Sequence, residues 1–276
     1  MFPFELQVVS IPVKNNFRGI KSREIALFEG PAGWSEFSPF TEYDNKQSAT
    51  WMKASLEAAT KPAPNPLRNE VMVNATLPNI KPAEVEKVLS NFDGCTTIKI
   101  KINDFTLDRE ILIECLKHVP NAKFRLDING GWTLEEAVVN LKNYEGEFAG
   151  LIDYVEQPCL DIAVIKWAPS GGINAAINLI KQISLPVVIS SALDSSVGIS
   201  HGLALACAIP NLYGACGLAT VALLEGDVTS NSLIASNGVI VNRRVIPDRI
   251  SEFKVDNQRQ KWWQDRADVI YEGSLI

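Results

Sequence analysis

The run TIKIKI, residues 97–102, sets Lys99 and Lys101 in alternation with isoleucines. Successive side chains of a strand point to opposite faces, so the two ammonium groups share one face. Two desolvated ammoniums side by side disfavour each other's charge, and a lysine so treated serves as a base near neutral pH. Alone, such a strand reads as an edge with one solvated face. The neighbouring runs change that reading. FRLDING, 124–130, carries Asp127 and Asn129 on one face near its end, and DYVEQP, 153–158, carries Glu156 near its end. DIAVIK ends in Lys166, and PVVISS ends in Ser190 and Ser191. Carboxylates are hard oxygen donors that suit Mg²⁺ better than zinc. A divalent metal beside a lysine base is the arrangement for taking a proton alpha to a carboxylate and holding the enediolate that results.

Such groups work together only if the elements carrying them converge. Apolar or β-branched runs begin at residues 71, 97, 124, 153, 161, 186 and 213, and all but one of the intervals between them are 25 to 29 residues. That is the length of a strand, a helix and two loops. Helix signals lie between: Pro82 opens PAEVEKVLSNF, Thr133 and Glu136 form a capping box, and Ile173, Ile177 and Ile180 share a face. The repeat predicts an α/β fold, a (β/α) barrel, whose site forms where the strands end. An open doubly wound sheet is the alternative, but no glycine-rich phosphate loop follows an early strand. Three strand-like runs and one helix fill the start of the chain. The expected division is an α+β domain over 1–65, the barrel over 66–250 and a helical tail over 251–276, the tail packing on the barrel exterior.

Composition narrows the function. The net charge of −6, with lysines and arginines scattered, gives no footprint for nucleic acid. Five cysteines without a CxxC pair fit reduced thiols and a cytoplasmic location. The uncharged stretch 195–224 is long enough to cross a bilayer, but Pro210, Asn211, His201 and several glycines interrupt it, so it reads as a buried helix, a turn and a strand with no membrane partner. His118 and His201 sit at no strand end and read as a surface residue and a helix-face residue.

KIK, DIN, VEQP and DIAVIK, followed by SSALDSSVG, resemble the enolase superfamily. With FRGI (17–20), EGPAGWSEFSPF (29–40), VNATLP (73–78) and ACGLAT (215–220), the chain is similar in particular to the o-succinylbenzoate synthase family, in its short actinobacterial form. The resemblance implies a capping domain on a (β/α)₇β barrel. It also implies Mg²⁺-dependent dehydration of 2-succinyl-6-hydroxy-2,4-cyclohexadiene-1-carboxylate to 2-succinylbenzoate, a step of menaquinone biosynthesis. By motif, Lys101 would abstract the alpha proton and then protonate the leaving hydroxyl. Lys99 would tune it, and Lys166 would face the enediolate as a cation. Asp127 and Glu156 would bind Mg²⁺. Asn129, Ser190, Ser191 and the backbone at Gly217 would border the substrate, with Arg18 and Gly19 of a capping loop closing over it. The partner is then a small carboxylate, and a monomer is expected. The alternatives are an N-acylamino acid racemase or epimerase, or a cycloisomerase, built on the same lysines, or a degenerate homologue without turnover.

One interval departs from the rhythm: only eight residues separate Asp153 from Asp161. The expectation is a barrel lacking one strand and its flanking helices, and with them the third metal carboxylate of the family. Asp194, just past a strand end, is the candidate replacement.

Overall fold

The computed structural model describes residues 1–17, 19–128, 131–156 and 162–273. The chain starts with an antiparallel sheet in which β1 (Gln7–Phe17), β2 (Ile20–Gly30) and β3 (Gly33–Phe37) pair in sequence order. α1 (Asn45–Thr60) lies on this sheet, burying Trp51, Met52 and Ala54. The Asp44 carboxylate and the Gln47 side chain cap its first turn reciprocally, satisfying amides that would otherwise be orphaned. This layer is the cap.

The barrel wall comes in two pieces. The first is a parallel ladder of β5 (Ala75–Leu77), β6 (Thr97–Lys101), β7 (Lys123–Asp127) and β8 (Ile152–Glu156), linked by α2 (Val85–Leu89), α3 (Phe105–His118) and α4 (Leu134–Phe148). The Thr133–Glu136 capping box expected for α4 is present. The second is the parallel pair β9 (Ala163–Lys166) and β10 (Val187–Ser190), with α5 (Ile173–Ile180) between them and α6 (Ser196–Ala208) after them. Among the described residues, no ladder joins β8 to β9.

Two expected strands take a different form. VMVNATLP splits into β4 (Glu70–Met72), which pairs antiparallel with β11 (Val239–Val241), and β5, and between them Val73 N donates to Gly238 O (2.9 Å) and Asn74 N to Cys216 O (3.0 Å). YGACG forms no continuous strand, because Gly214, its second residue, sits at φ +55°. Its backbone still spans the wall: Gly217 N donates to Ile189 O (2.8 Å) and Cys216 N to Met72 O (2.7 Å), tying β10 to the β4–β5 segment.

Arg125 braces the interior. Its side chain is 1% exposed and reaches from β7 to Asp153 on β8 (2.8 Å), Asn74 (3.3 Å) and the Ala215 carbonyl (2.5 Å). The tail contradicts its expected seat. α7 (Asn257–Gly273) packs on the cap instead of the barrel exterior, because its polar groups find cap partners: Arg259 and Trp263 reach Glu24, and Gln260 donates to Leu6 O. Arg266 of the same helix donates to Tyr43 O and Ser48 Oγ, both 2.8 Å, and so holds the loop that carries Phe40. No helix among the described residues is long and apolar enough to cross a membrane, and 195–224 resolves into α6 and shorter segments.

Candidate active site

Strand register assembles the first half of the site. Lys101 stands opposite Asp127 across β6 and β7, and Asp127 opposite Glu156 across β7 and β8, so period-two alternation turns Lys99, Lys101, Asp127 and Glu156 into one cavity. From the other wall come Lys166, Ser190, Ser191 and Gly217. Phe40 of the cap, Thr76, Leu77, Ala192 and Thr220 complete a cavity of about 370 Å³. Eight of the residues expected from sequence therefore converge. Gly19 is in the β1–β2 turn at φ +75° and is not part of this lining. Arg18 and Asn129 lie outside the described residues.

The electrostatics differ from the lysine-pair expectation. Lys99 lies 3.0 Å from an Asp127 oxygen and pairs with Glu156 as well. Burial opposes its charge, but the two carboxylates outweigh burial and raise its pKa. Lys99 is thus held as an ammonium, because its partners are anions on β7 and β8 and not only the next lysine. The lysine whose charge is disfavoured is Lys166: burial and the Lys99 ammonium lower it, against Glu156, Asp194 and Asp127. Counting lining groups, three lysines face two carboxylates, so the fully charged pocket carries a surplus of one positive charge.

The opposite end is neutral and backbone-rich. Ser191 Oγ is 2.6 Å from Thr220 Oγ1 and 3.0 Å from Gly217 O. Ser190 Oγ makes one long contact, 3.5 Å, to the same carbonyl. A Cβ at Gly217 would sit 2.6 Å from Ser190 Oγ, so a larger residue there would displace that hydroxyl.

Asp127 and Glu156 are adjacent hard-oxygen donors at neighbouring strand ends, a set that fits Mg²⁺ with substrate oxygens and water completing its sphere. No third Asp, Glu, His or Cys among the described residues joins them. Asp194 does not replace the missing carboxylate: it is 2% exposed, outside the cavity lining, beside Glu36 of the cap. The reason is local. Leu193 adopts a left-handed backbone, φ +63°, which turns the next side chain back toward the cap. His201 lies against Trp167 (4.9 Å between centroids, the rings tilted by 57°) and His118 lies by Glu114, in keeping with non-catalytic places for both. Phe40, Thr76 and Thr220 escaped the sequence reading. Thr76 and Thr220 lie inside the quoted runs VNATLP and ACGLAT, which were the available signal.

Residues 8–59 match the family model of an enolase N-terminal domain-like fold. Over 305 aligned positions the chain is 36% identical to the o-succinylbenzoate synthase of Mycolicibacterium smegmatis, covering 95% of this chain and 94% of that one. The corresponding protein of Mycobacterium tuberculosis is 37% identical over 309 positions, covering 96% and 93%. The chain belongs to the o-succinylbenzoate synthase family. Solved structures carry the same enolase-superfamily architecture of cap and barrel. Muconate lactonizing enzyme from Pseudomonas putida aligns with a TM-score of 0.71 over 92% of this chain and 99% of that one, at 12% identity. The L-Ala-D/L-Glu epimerase of Bacillus subtilis aligns with a TM-score of 0.68 over 88% and 96%, at 18% identity. At such identities the likeness concerns the fold alone.

Proposed function

We propose that this chain, like the o-succinylbenzoate synthases it is related to, is a lyase that dehydrates 2-succinyl-6-hydroxy-2,4-cyclohexadiene-1-carboxylate to 2-succinylbenzoate in menaquinone biosynthesis. The observation that carries the reading is the family membership of a chain whose lysines 99, 101 and 166 and carboxylates 127 and 156 line one cavity. A surplus of positive charge suits a dicarboxylate substrate. Lys101, as the free amine, takes the proton alpha to the ring carboxylate, and the electron pair moves onto the carboxylate oxygens. Lys166 faces that developing charge as an ammonium. Lys101, now protonated, returns its proton to the leaving hydroxyl as the C–O bond breaks, water departs and the ring becomes aromatic. Lys99 stays charged between Asp127 and Glu156 and, as a like charge beside it, favours the free amine of Lys101 before the proton is taken. Ser190, Ser191 and the Gly217 backbone border the succinyl end. Asp127 and Glu156 would hold Mg²⁺, which supplies positive charge to the substrate carboxylate when bound. The four described cysteines, 95, 115, 207 and 216, are buried and unpaired, which supports a reducing cytoplasm as the working place.

The shortened interval belongs to the same reading. Ninety-five per cent of 276 residues is about 262, so about 43 of the 305 positions aligned with the M. smegmatis relative have no residue from this chain. That surplus is the size of one and a half βα units and supports a barrel built with one strand fewer. The test is conversion of the cyclohexadiene by the purified chain, with Mg²⁺ and with EDTA, beside Lys101→Ala. Turnover that EDTA removes and the variant loses is the expected result. A folded chain that leaves the cyclohexadiene untouched and racemises N-acylamino acids would replace this reading with the racemase one. A folded chain inert to both would mark a degenerate homologue.

A further inference from the structure

Phe40 is the one aromatic ring among the described residues that line the cavity, and apart from Leu77 and Ala192 its companions there are polar, charged or glycine. It comes from the loop between β3 and α1, so no strand ladder fixes it. A side chain on a loop presents a settled surface to a ligand only when the loop is tied down. Arg23 of β2 ties one end: its guanidinium lies 4.3 Å from the Phe40 ring centroid, its Nη2 donates to Ser38 O, and its Nε donates to Leu193 O (3.1 Å) in the turn after β10. Tyr43 and Trp51 meet the Phe40 ring edge-on, at 5.6 and 6.4 Å between centroids. The turn from Phe40 to Tyr43 is closed by Tyr43 N donating to Phe40 O at 3.0 Å. The other end of the loop is tied by α7. Arg266 Nη2 donates to Tyr43 O and to the buried Ser48 Oγ, both 2.8 Å, with Phe40 O further off at 3.4 Å. One nitrogen thus joins the cavity residue, the end of its turn and the first turn of α1. The arginine is itself held by aromatic faces, its guanidinium carbon 5.2 Å from the ring centroids of both Trp262 and Trp263.

We propose that Arg266 is a positioning residue for substrate binding: reaching from α7 at the far end of the chain, it fixes the Phe40–Tyr43 turn, and with it the ring that packs against the apolar part of the substrate. A ring fixed in advance spares the substrate the cost of ordering the loop, so loss of the tie weakens binding. The lysines assigned to the chemistry stand on β6 and β9, are held by other contacts, and keep their places when the tie is lost. The inference rests on the dehydration reading above for the identity of the substrate.

The experiment uses the full chain with Mg²⁺ and has two arms. The first is hydrogen exchange with peptide mass spectrometry, reading the Tyr43 amide in the native chain and in Arg266→Met. The variant keeps an unbranched side chain beside the two tryptophans and removes the donor. Exchange at Tyr43 should become about tenfold faster, the mark of a local opening, while peptides of β6 and β7 are unchanged. In the second arm, the dehydration assay, Arg266→Met should raise KM for the cyclohexadiene about fivefold and leave kcat within about twofold. Phe40→Ala should raise KM further, about twentyfold, as the loss of an apolar contact does. Adding Arg266→Met to Phe40→Ala should then raise KM no more, because the arginine acts through the ring. A general loss of stability would produce neither the KM-against-kcat split nor that non-additivity. Native exchange at Tyr43 in a folded Arg266→Met overturns the proposal, and so does a double variant whose effects on KM multiply. If Arg266→Met does not fold, Ser48→Ala decides: it removes one acceptor of Nη2 and should speed Tyr43 exchange about threefold, and native exchange there overturns the proposal. A native chain without turnover would sink the dehydration reading, yet the exchange arm would still decide whether Arg266 holds the turn.

Discussion

The two walls of the cavity reach the same task by different means. The β5–β8 wall is an unbroken parallel ladder. Its functional side chains fall into place because register fixes them, Lys101 against Asp127 and Asp127 against Glu156. The β9–β10 wall is a ladder of four residue pairs, completed by the 212–217 segment through isolated bridges. The turn and helix that follow it are held by the cap: Arg23 clamps Leu193, and Glu36 docks on the start of α6. Where pairing is continuous the sheet itself is the scaffold. Where it is short, buried polar contacts from another layer take over, and such contacts bring titratable groups into the interior.

The largest effect expected from breaking the comparison is on the first wall. Lys101→Ala removes the proposed general base, and kcat should fall about 10²–10⁴-fold, the usual worth of such a group. The thermal transition should stay cooperative, because the ladder that positions Lys101 is backbone-bonded. A variant that keeps more than a tenth of the activity would reassign the base to Lys166, the lysine whose ammonium is disfavoured by burial.

Next is Arg125, the brace on the same wall. Arg125→Met keeps the volume but takes the partner from the buried Asn74 carbonyl oxygen and the Ala215 carbonyl, while Asp153, part-exposed, keeps its contact with the Tyr213 hydroxyl. A buried acceptor left unmatched costs about 1–3 kcal/mol. Urea denaturation should show a loss of that order. No measurable loss would mean that β7 and the 215 segment are held without this brace.

Glu36 tests the second wall by pH. Burial, and then Asp194, raises its carboxyl to about 7 from an ordinary 4.5. The folded state then binds a proton that the unfolded state releases above 4.5, so Glu36 destabilises the fold progressively as pH rises from about 4.5 to about 7, by on the order of 3 kcal/mol in all. Stability associated with this group is complete below 4.5 and lost above 7. His201, lowered to about 4 chiefly by burial, has the opposite sign over 4–6.5 and partly masks the trend in the native chain. Comparing Glu36→Gln with the native chain isolates it: the variant's advantage in melting temperature should be larger at pH 8 than at pH 5. Equal differences at the two pH values would show Glu36 ionised throughout.

The same division governs what could be read from the sequence. Lys99, Lys101, Asp127 and Glu156 announced themselves because alternation and ladder register are local patterns that survive into the fold. Lys166, Ser190 and Ser191 were legible as strand ends, and Gly217 through the motif ACGLAT. Phe40 and Arg23 were not, since nothing in SREIALFEG or EFSPF says which barrel loop the cap will touch. The charge state of Lys99 was misread for a related reason: its nearest sequence neighbour is Lys101, but its partners in space come from two other strands. Asp194 sat at the expected strand end, yet one left-handed residue before it redirects the carboxylate, and a leucine in that conformation leaves no mark in the sequence. α7 was recognisable as a helix, while its seat on the cap depended on Glu24, more than 230 residues earlier.

The smallest effects distinguish the adjacent serines of the second wall. Ser191 Oγ is committed to Thr220 and the Gly217 carbonyl, whereas Ser190 Oγ holds a single contact at the limit of a hydrogen bond. A hydroxyl with both partners satisfied contributes to stability, and one left over is available to a ligand. Ser191→Ala should therefore cost about 1 kcal/mol in unfolding free energy and alter KM less than twofold. Ser190→Ala should leave the melting temperature unchanged and raise KM for the cyclohexadiene about fivefold, the equivalent of one neutral hydrogen bond. Similar KM values in the two variants would mean that the succinyl group is bound by the backbone at Gly217 and not by a serine hydroxyl. The β9–β10 wall would then shape the cavity without choosing its occupant.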